Sequence, residues 1–175
     1  MNLYTKDYLL DGKIIYFQPK YGYRSGIEPI ILASKAQASD LNILDLGAGC
    51  GPISLIVAYR YPNSNVIRIE KNKIHHSLAF RNKEKNNFIN LKYFNGDVGQ
   101  FYDQFNGFFD LILTNPPFFF ENTVIKSLIP SIRDAKYITQ KNLDLWFCSL
   151  LNYLSPLGTA YIINRYDNLE YMRSF

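Results

Sequence analysis

The stretch DLGAGCG (45–51) stands between the apolar run NILDL (42–46) and PISLIVAYRY (52–61), a helical pattern opened by proline. A strand, a glycine turn and a helix in that order form the first half of a crossover unit. Gly47, Gly49 and Gly51 permit a tight turn and close approach of backbone to a ligand. No Lys followed by Ser or Thr comes after them, so the turn is not a P-loop. The third glycine is also misplaced for the G-x-G-x-x-G of dinucleotide sites. Asp45 sits at the approach, where its charge would repel a pyrophosphate and suit a cationic or zwitterionic ligand. The sulfonium and amino groups of S-adenosyl-L-methionine meet that requirement. An alternative for Asp45 is a carboxylate that accepts loop amide hydrogens.

Outward from this turn the alternation continues. VIRIE (66–70) reads as a strand, 73–87 as a polar basic helix, NLKYF (90–94) as a strand and GFFDLILT (107–114) as a fourth. DLWFCSLLNYLS (144–155) reads as an amphipathic helix stopped by Pro156 and Gly158, and TAYII (159–163) as a fifth strand. Short apolar strands separated by helices predict an α/β fold, a mostly parallel doubly wound sheet of order 3-2-1-4-5 covered on both faces. Upstream, KIIYFQ (13–18) reads as a short strand, PKYGYRSG (19–26) as a loop and EPIILASKA (28–36) as a helix. Residues 1–40 are expected to pack on the ligand site of a unit spanning 41–175, the whole forming one compact body. Residues 116–140 break the rhythm as a long loop carrying Lys126, Arg133 and Lys136; loops of that length are usually functional. Nothing after the fifth strand covers the last sheet edge, so C-terminal strands are expected to be missing.

ILTNPPFFF (112–120) is the second informative stretch. Two prolines lack backbone N–H groups and hold the carbonyls of Asn115 and Pro116 outward. The Asn115 side chain adds an acceptor and a donor. Phe118 offers an aromatic face. Together with Pro117 these residues suit a planar ring bearing an exocyclic amine. Strands one and four of the expected order are neighbours across the switch point, so both loops face one crevice. Glu70, ending strand two, is placed to accept from ribose hydroxyls, or to pair with Lys71 or Lys73. Asp97, in NGD (95–97), is placed to accept from an adenine amine, or is simply a turn residue.

Composition sets bounds. With 175 residues, 47% hydrophobic and 19% charged, the chain is long enough for one domain with a real core and is not disordered as a whole. Net charge is +4, but residues 68–92 alone carry +5, either a solvated helix face or a patch attracting phosphate. Cys50 and Cys148, the only cysteines, form no metal spacing and no disulfide framework, which fits a reducing compartment. No apolar run is long enough to span a membrane, and the start lacks a secretory pattern. The expected location is the cytoplasm, with no metal.

Taken together, the chain resembles the class I S-adenosylmethionine-dependent methyltransferases, with their Rossmann-like fold. Within them it is similar to the bacterial tRNA(Val) N6-adenine methyltransferases, through QPKYGYRSGIEPIILASKA (18–36), LDLGAGCG (44–51), IRIE (67–70), GD (96–97), LTNPPFFF (113–120) and LSPLGTAYII (154–163). The resemblance implies methylation of an adenosine in a tRNA anticodon loop. It implies that Asp45, Gly47 and Gly49 border the methionine end of the cofactor, that Glu70 binds its ribose, and that Asp97 or Val98 lies by its adenine. Arg24, Cys50, Lys71 and Asn115 join these as cofactor-binding candidates. Asn115, Pro116, Pro117 and Phe118 would form the pocket for the target base and carry the chemistry. That family's sheet ends in an antiparallel pair absent from this sequence. An N5-glutamine protein methyltransferase and an rRNA guanine N2 methyltransferase would use the same NPPF pocket. A non-catalytic cofactor- or RNA-binding remnant is a further reading. A nicotinamide-dependent oxidoreductase is disfavoured by the glycine spacing and by NPPF.

Overall fold

The computed structural model describes residues 3–37, 41–120, 128 and 130–175. Its centre is a parallel five-stranded sheet made of β3 (Asn42–Leu46), β4 (Asn65–Glu70), β5 (Leu91–Asn95), β6 (Phe109–Thr114) and β9 (Leu154–Ile162), in spatial order β5-β4-β3-β6-β9. This is the expected doubly wound order, with the switch point between β3 and β6. Alternate residues of each strand feed two cores. Ile43, Val66, Leu91, Leu111 and Leu113 face α1 (Glu28–Ser34) and α2 (Pro52–Arg60). Leu44, Leu46, Ile67, Ile69 and Ile112 face α5 (Gln140–Tyr153). Burial on both faces is why these strands read as continuous apolar runs.

The N-terminal region is more than the one expected strand. β1 (Tyr4–Leu9) and β2 (Ile14–Pro19) form an antiparallel hairpin. The hairpin docks on α3 (Lys73–Asn86) through two side-chain amides that imitate a strand. Asn82 accepts from the Phe17 N–H at 2.6 Å and donates to the carbonyls of Phe17 (3.0 Å) and Cys50 (3.1 Å). Asn86 accepts from the Ile15 N–H at 2.8 Å and donates to its carbonyl at 2.7 Å. This docking carries the loop after β2, with Tyr23 and Ser25, toward the carboxyl ends of β3 and β4.

The segment expected to be a long loop contains β7 (Phe119–Phe120), α4 (Pro130–Lys136) and β8 (Tyr137–Ile138), with β7 and β8 paired in parallel. Lys126 lies outside the described residues. α5 begins four residues earlier than expected because Thr139 caps it, accepting from the Asn142 N–H at 3.2 Å. Pro156 and Gly158, read as the stop after that helix, lie inside β9, where the register against β6 shifts between Phe109 and Leu111. After β9 come a 3-10 turn, Tyr166–Asn168, and α6 (Leu169–Arg173). Among the described residues, no helix is long and apolar enough to cross a membrane.

Candidate active site

A cavity of about 610 Å³ opens at the carboxyl ends of β3, β4, β5 and β6, within the size range of small-molecule sites. Of the residues singled out in the sequence, it brings together Gly47, Gly49, Glu70, Lys71, Asp97, Val98, Asn115 and Pro117 as its wall. The two loops therefore share one crevice.

The glycine turn is held from below by β4. The N–H groups of Gly47 and Ala48 both donate to the Ile69 carbonyl at 3.0 Å. Glu70 accepts from the Gly49 N–H at 2.7 Å through one oxygen and from the Asn72 N–H at 2.7 Å through the other. Gly47 has a φ of +73°, and a methyl there would overlap the Trp146 ring. Only glycine meets both conditions at that position. At the far rim Lys71 and Asp97 pair at 3.2 Å, and Asp97 also accepts from the Gly99 N–H at 2.9 Å. This pair is exposed and is a weak tether.

Asp45 and Arg68 lie opposite each other on adjacent strands and are almost wholly buried, at 1% and 0% exposure. Neither lines the cavity. Asp45 accepts from the Ser54 N–H at 3.0 Å, near the start of α2. Arg68 donates to the Gly49 carbonyl and lies over the Tyr93 ring at 5.0 Å. Among the described residues, Asp45 Oδ1 and Arg68 Nε and Nη1 have no hydrogen-bond partner. Arg68 is thus interior, and leaves the basic face that the 68–92 window suggests. Arg81, in the same window, is stacked 4.3 Å from Tyr4 and 4.4 Å from Phe17.

Burial raises the Asp45 pKa from 3.8 to about 6, against the pull of Arg68 and of the Ser54 hydrogen bond. Because the folded-state value lies above the unfolded one, the stabilising contribution of Asp45 is fully present below about pH 4 and is lost as pH rises through about 6. Between pH 4 and pH 7 the wild type should lose on the order of 3 kcal/mol relative to Asp45→Asn. Urea unfolding of both proteins across that range measures it; parallel curves would mean that Asp45 is not titrating there.

Five candidates fall outside the cavity wall. Arg24 is turned to the hairpin, donating to Thr5 Oγ1 and the Pro19 carbonyl at 2.8 Å and pairing with Asp7 at 2.9 Å. Its neighbours Tyr23 and Ser25 line the cavity instead. Cys50 is buried beneath the turn, and desolvation pushes its thiol up to about 12. Asp45 is covered, as described. Pro116 is buried, and Phe118 is half-buried with its carbonyl accepting from Asn168 Nδ2 at 2.9 Å. Tyr23, Tyr137 and Trp146 supply the aromatic faces of the wall. His75, in the first turn of α3, also lines it, and burial lowers its pKa. Asn115 Oδ1 is buried in this wall with no hydrogen-bond partner among the described residues. Among the described residues, no cluster of three or more His, Cys, Asp or Glu is arranged to hold a metal ion.

The model of the methyltransferase small domain family matches residues 29–149. A tRNA1(Val) (adenine(37)-N6)-methyltransferase of Flavobacteriaceae bacterium (strain 3519-10) is 34% identical over 129 residues, 73% of this chain and 52% of that protein. A release factor glutamine methyltransferase of Buchnera aphidicola is 36% identical over 85 residues, 49% of this chain and 30% of that protein. The chain thus spans about half the length, or less, of these curated relatives. Among solved structures, Pyrococcus horikoshii TYW2 in complex with MeSAdo superposes with a TM-score of 0.66 at 20% identity, over 94% of this chain and 53% of that one.

Proposed function

This chain belongs to the methyltransferase small domain family, and we propose on that premise that it transfers a methyl group from S-adenosyl-L-methionine to the N6 amine of an adenosine in tRNA. The observation that carries this reading is Asn115 Oδ1, a buried acceptor with no partner among the described residues, in the wall of a cavity that the glycine turn also lines. A buried acceptor without a partner is costly and asks for a donor from a ligand. An exocyclic amine is such a donor.

The cavity residues fit the cofactor. Glu70 stands at the end of β4, where it would take the ribose hydroxyls. Asp97 and Val98 would flank the adenine. Asp45, covered beneath the turn and opposite Arg68, would act on the cofactor only through the shape of that turn. When bound, S-adenosylmethionine supplies an electrophilic methyl group and leaves as a neutral thioether. Asn115 Oδ1 would accept an amine hydrogen, directing the nitrogen lone pair out of conjugation with the ring. The nitrogen proton becomes acidic as the N–C bond forms, so no strong base is required in the wall. Alignment is then the main catalytic contribution. The base would have to leave its stack, with Tyr23, Tyr137 and Trp146 as candidate faces to receive it.

Several relatives from separate genera are tRNA1(Val) (adenine(37)-N6)-methyltransferases, which favours RNA over the protein amide of the glutamine enzymes. Lys73, in the first turn of α3 between the cavity-lining Asn72 and His75, is exposed and is a candidate phosphate contact. The test is transfer of labelled methyl into total tRNA, followed by nucleoside analysis. N6-methyladenosine is the expected product, with binding that weakens steeply as salt rises. Label found only in a release factor would replace this reading with glutamine methylation.

A further inference from the structure

We infer that Thr114 is a positioning residue that locks the glycine turn and the NPPF loop at a fixed separation, with Trp146 as its clamp; the inference rests on the methyltransferase reading. Leu46 and Thr114 are register partners at the ends of β3 and β6. The next residue of each strand begins a wall of the crevice, Gly47 on one side and Asn115 on the other. Thr114 is 0% exposed, and its hydroxyl donates to the Leu46 carbonyl at 2.7 Å. The same oxygen accepts from Trp146 Nε1 at 3.0 Å. The Trp146 ring also packs on Gly47 so closely that a Cβ there would overlap it. One side chain from α5 thus touches the root of one loop and the first residue of the other.

The Thr114 hydroxyl supplies the Leu46 carbonyl with a donor across the switch point, where two loops must agree in position. The indole N–H removes the freedom of that hydroxyl to rotate, because the oxygen must present a lone pair to Trp146 while its proton points at Leu46. A transfer that depends on near-attack geometry is sensitive to such a constraint, since a shift of about 1 Å is enough to cost about 100-fold in rate. Thr114 touches neither ligand, so its effect falls on the rate of transfer and spares cofactor affinity.

Thr114→Val keeps the shape and removes both hydrogen bonds. It is expected to lower kcat for methyl transfer about 10- to 50-fold while changing the Kd for S-adenosylhomocysteine less than threefold. Thr114→Ser restores the hydroxyl and should return kcat to within threefold of wild type. Trp146→Phe removes the indole donor but also trims a ring of the cavity wall, so its kcat should fall at least as far as its loss of the hydrogen bond alone would require. A readout independent of turnover is amide hydrogen exchange. Peptides spanning 44–51 and 111–115 should both exchange at least 10-fold faster in Thr114→Val, and neither should in Thr114→Ser. The single tryptophan gives one indole N–H resonance, which should move and lose protection in Thr114→Val. The inference is overturned if exchange rises in one loop or in neither, or if the Ser variant rescues nothing. It is also overturned if kcat is unchanged in a wild type that transfers methyl. A wild type that transfers none to RNA sinks the functional reading instead, and the exchange and indole results still decide the role of Thr114.

Discussion

Asn115→Ala is expected to reduce methyl transfer by on the order of 100- to 1000-fold, the loss seen when one aimed polar group is removed from a reacting centre. Cofactor affinity should stay within about threefold, because Glu70, Asp97 and Val98 belong to β4 and the loop after β5 and do not depend on the loop after β6. Stability gives a second signature. Asn115 Oδ1 is buried with no partner among the described residues, a condition that costs roughly 1–3 kcal/mol in the folded state. Removing it should leave the melting temperature unchanged or raised. Single-turnover rates, calorimetry with S-adenosylhomocysteine and thermal melts separate these outcomes. A variant that loses rate, affinity and stability together would show Asn115 to be a structural residue of the turn.

The sheet was legible because its three central strands are buried on both faces, so NILDL, VIRIE and FDLIL announce themselves as apolar runs, and glycines mark the switch point. The shared crevice followed from strand order alone. The hairpin was not legible in the same way, because β1 (YTKDYL) alternates polar and apolar residues with only half-burial. Its signal was Asp11-Gly12, which together with Leu10 takes positive φ in the turn. Arg68 looked like a surface cation because charge counts carry no direction. Its strand position, two residues before Glu70 and opposite Asp45, puts it inside. Phe118 was read as the stacking face because it follows the prolines, yet the wall draws its aromatic faces from 23, 137 and 146, which come from distant segments. Thr114 and Trp146 are 32 residues apart, and no local pattern links a strand-end threonine to a helix tryptophan. Such pairs appear only once the chain is folded.

Arg68→Met is expected to destabilise the fold by about 3–5 kcal/mol, the cost of stranding one member of a buried charge pair. Methionine replaces much of the volume, so a cavity is not the cause. Three groups lose their neighbour at once: the Asp45 carboxylate, the Gly49 carbonyl and the face of Tyr93. Asp45 would respond by taking up a proton, since desolvation already raises its pKa, and the loss should therefore be smaller at pH 4 than at pH 8. Adding Asp45→Asn removes the stranded charge while keeping an acceptor for Ser54, so the double variant should recover most of the stability. Urea unfolding of the four proteins at both pH values gives the coupling directly, and strict additivity would show that the two charges do not interact. Cofactor affinity should recover less than stability does. Arg68 grips the Gly49 carbonyl while Glu70 grips its N–H, so the turn is fixed from both sides by one strand. Neutralising Asp45 returns no donor to Gly49. A double variant that folds well but binds S-adenosylhomocysteine at least 10-fold more weakly would separate the arginine's part in the core from its part in shaping the turn.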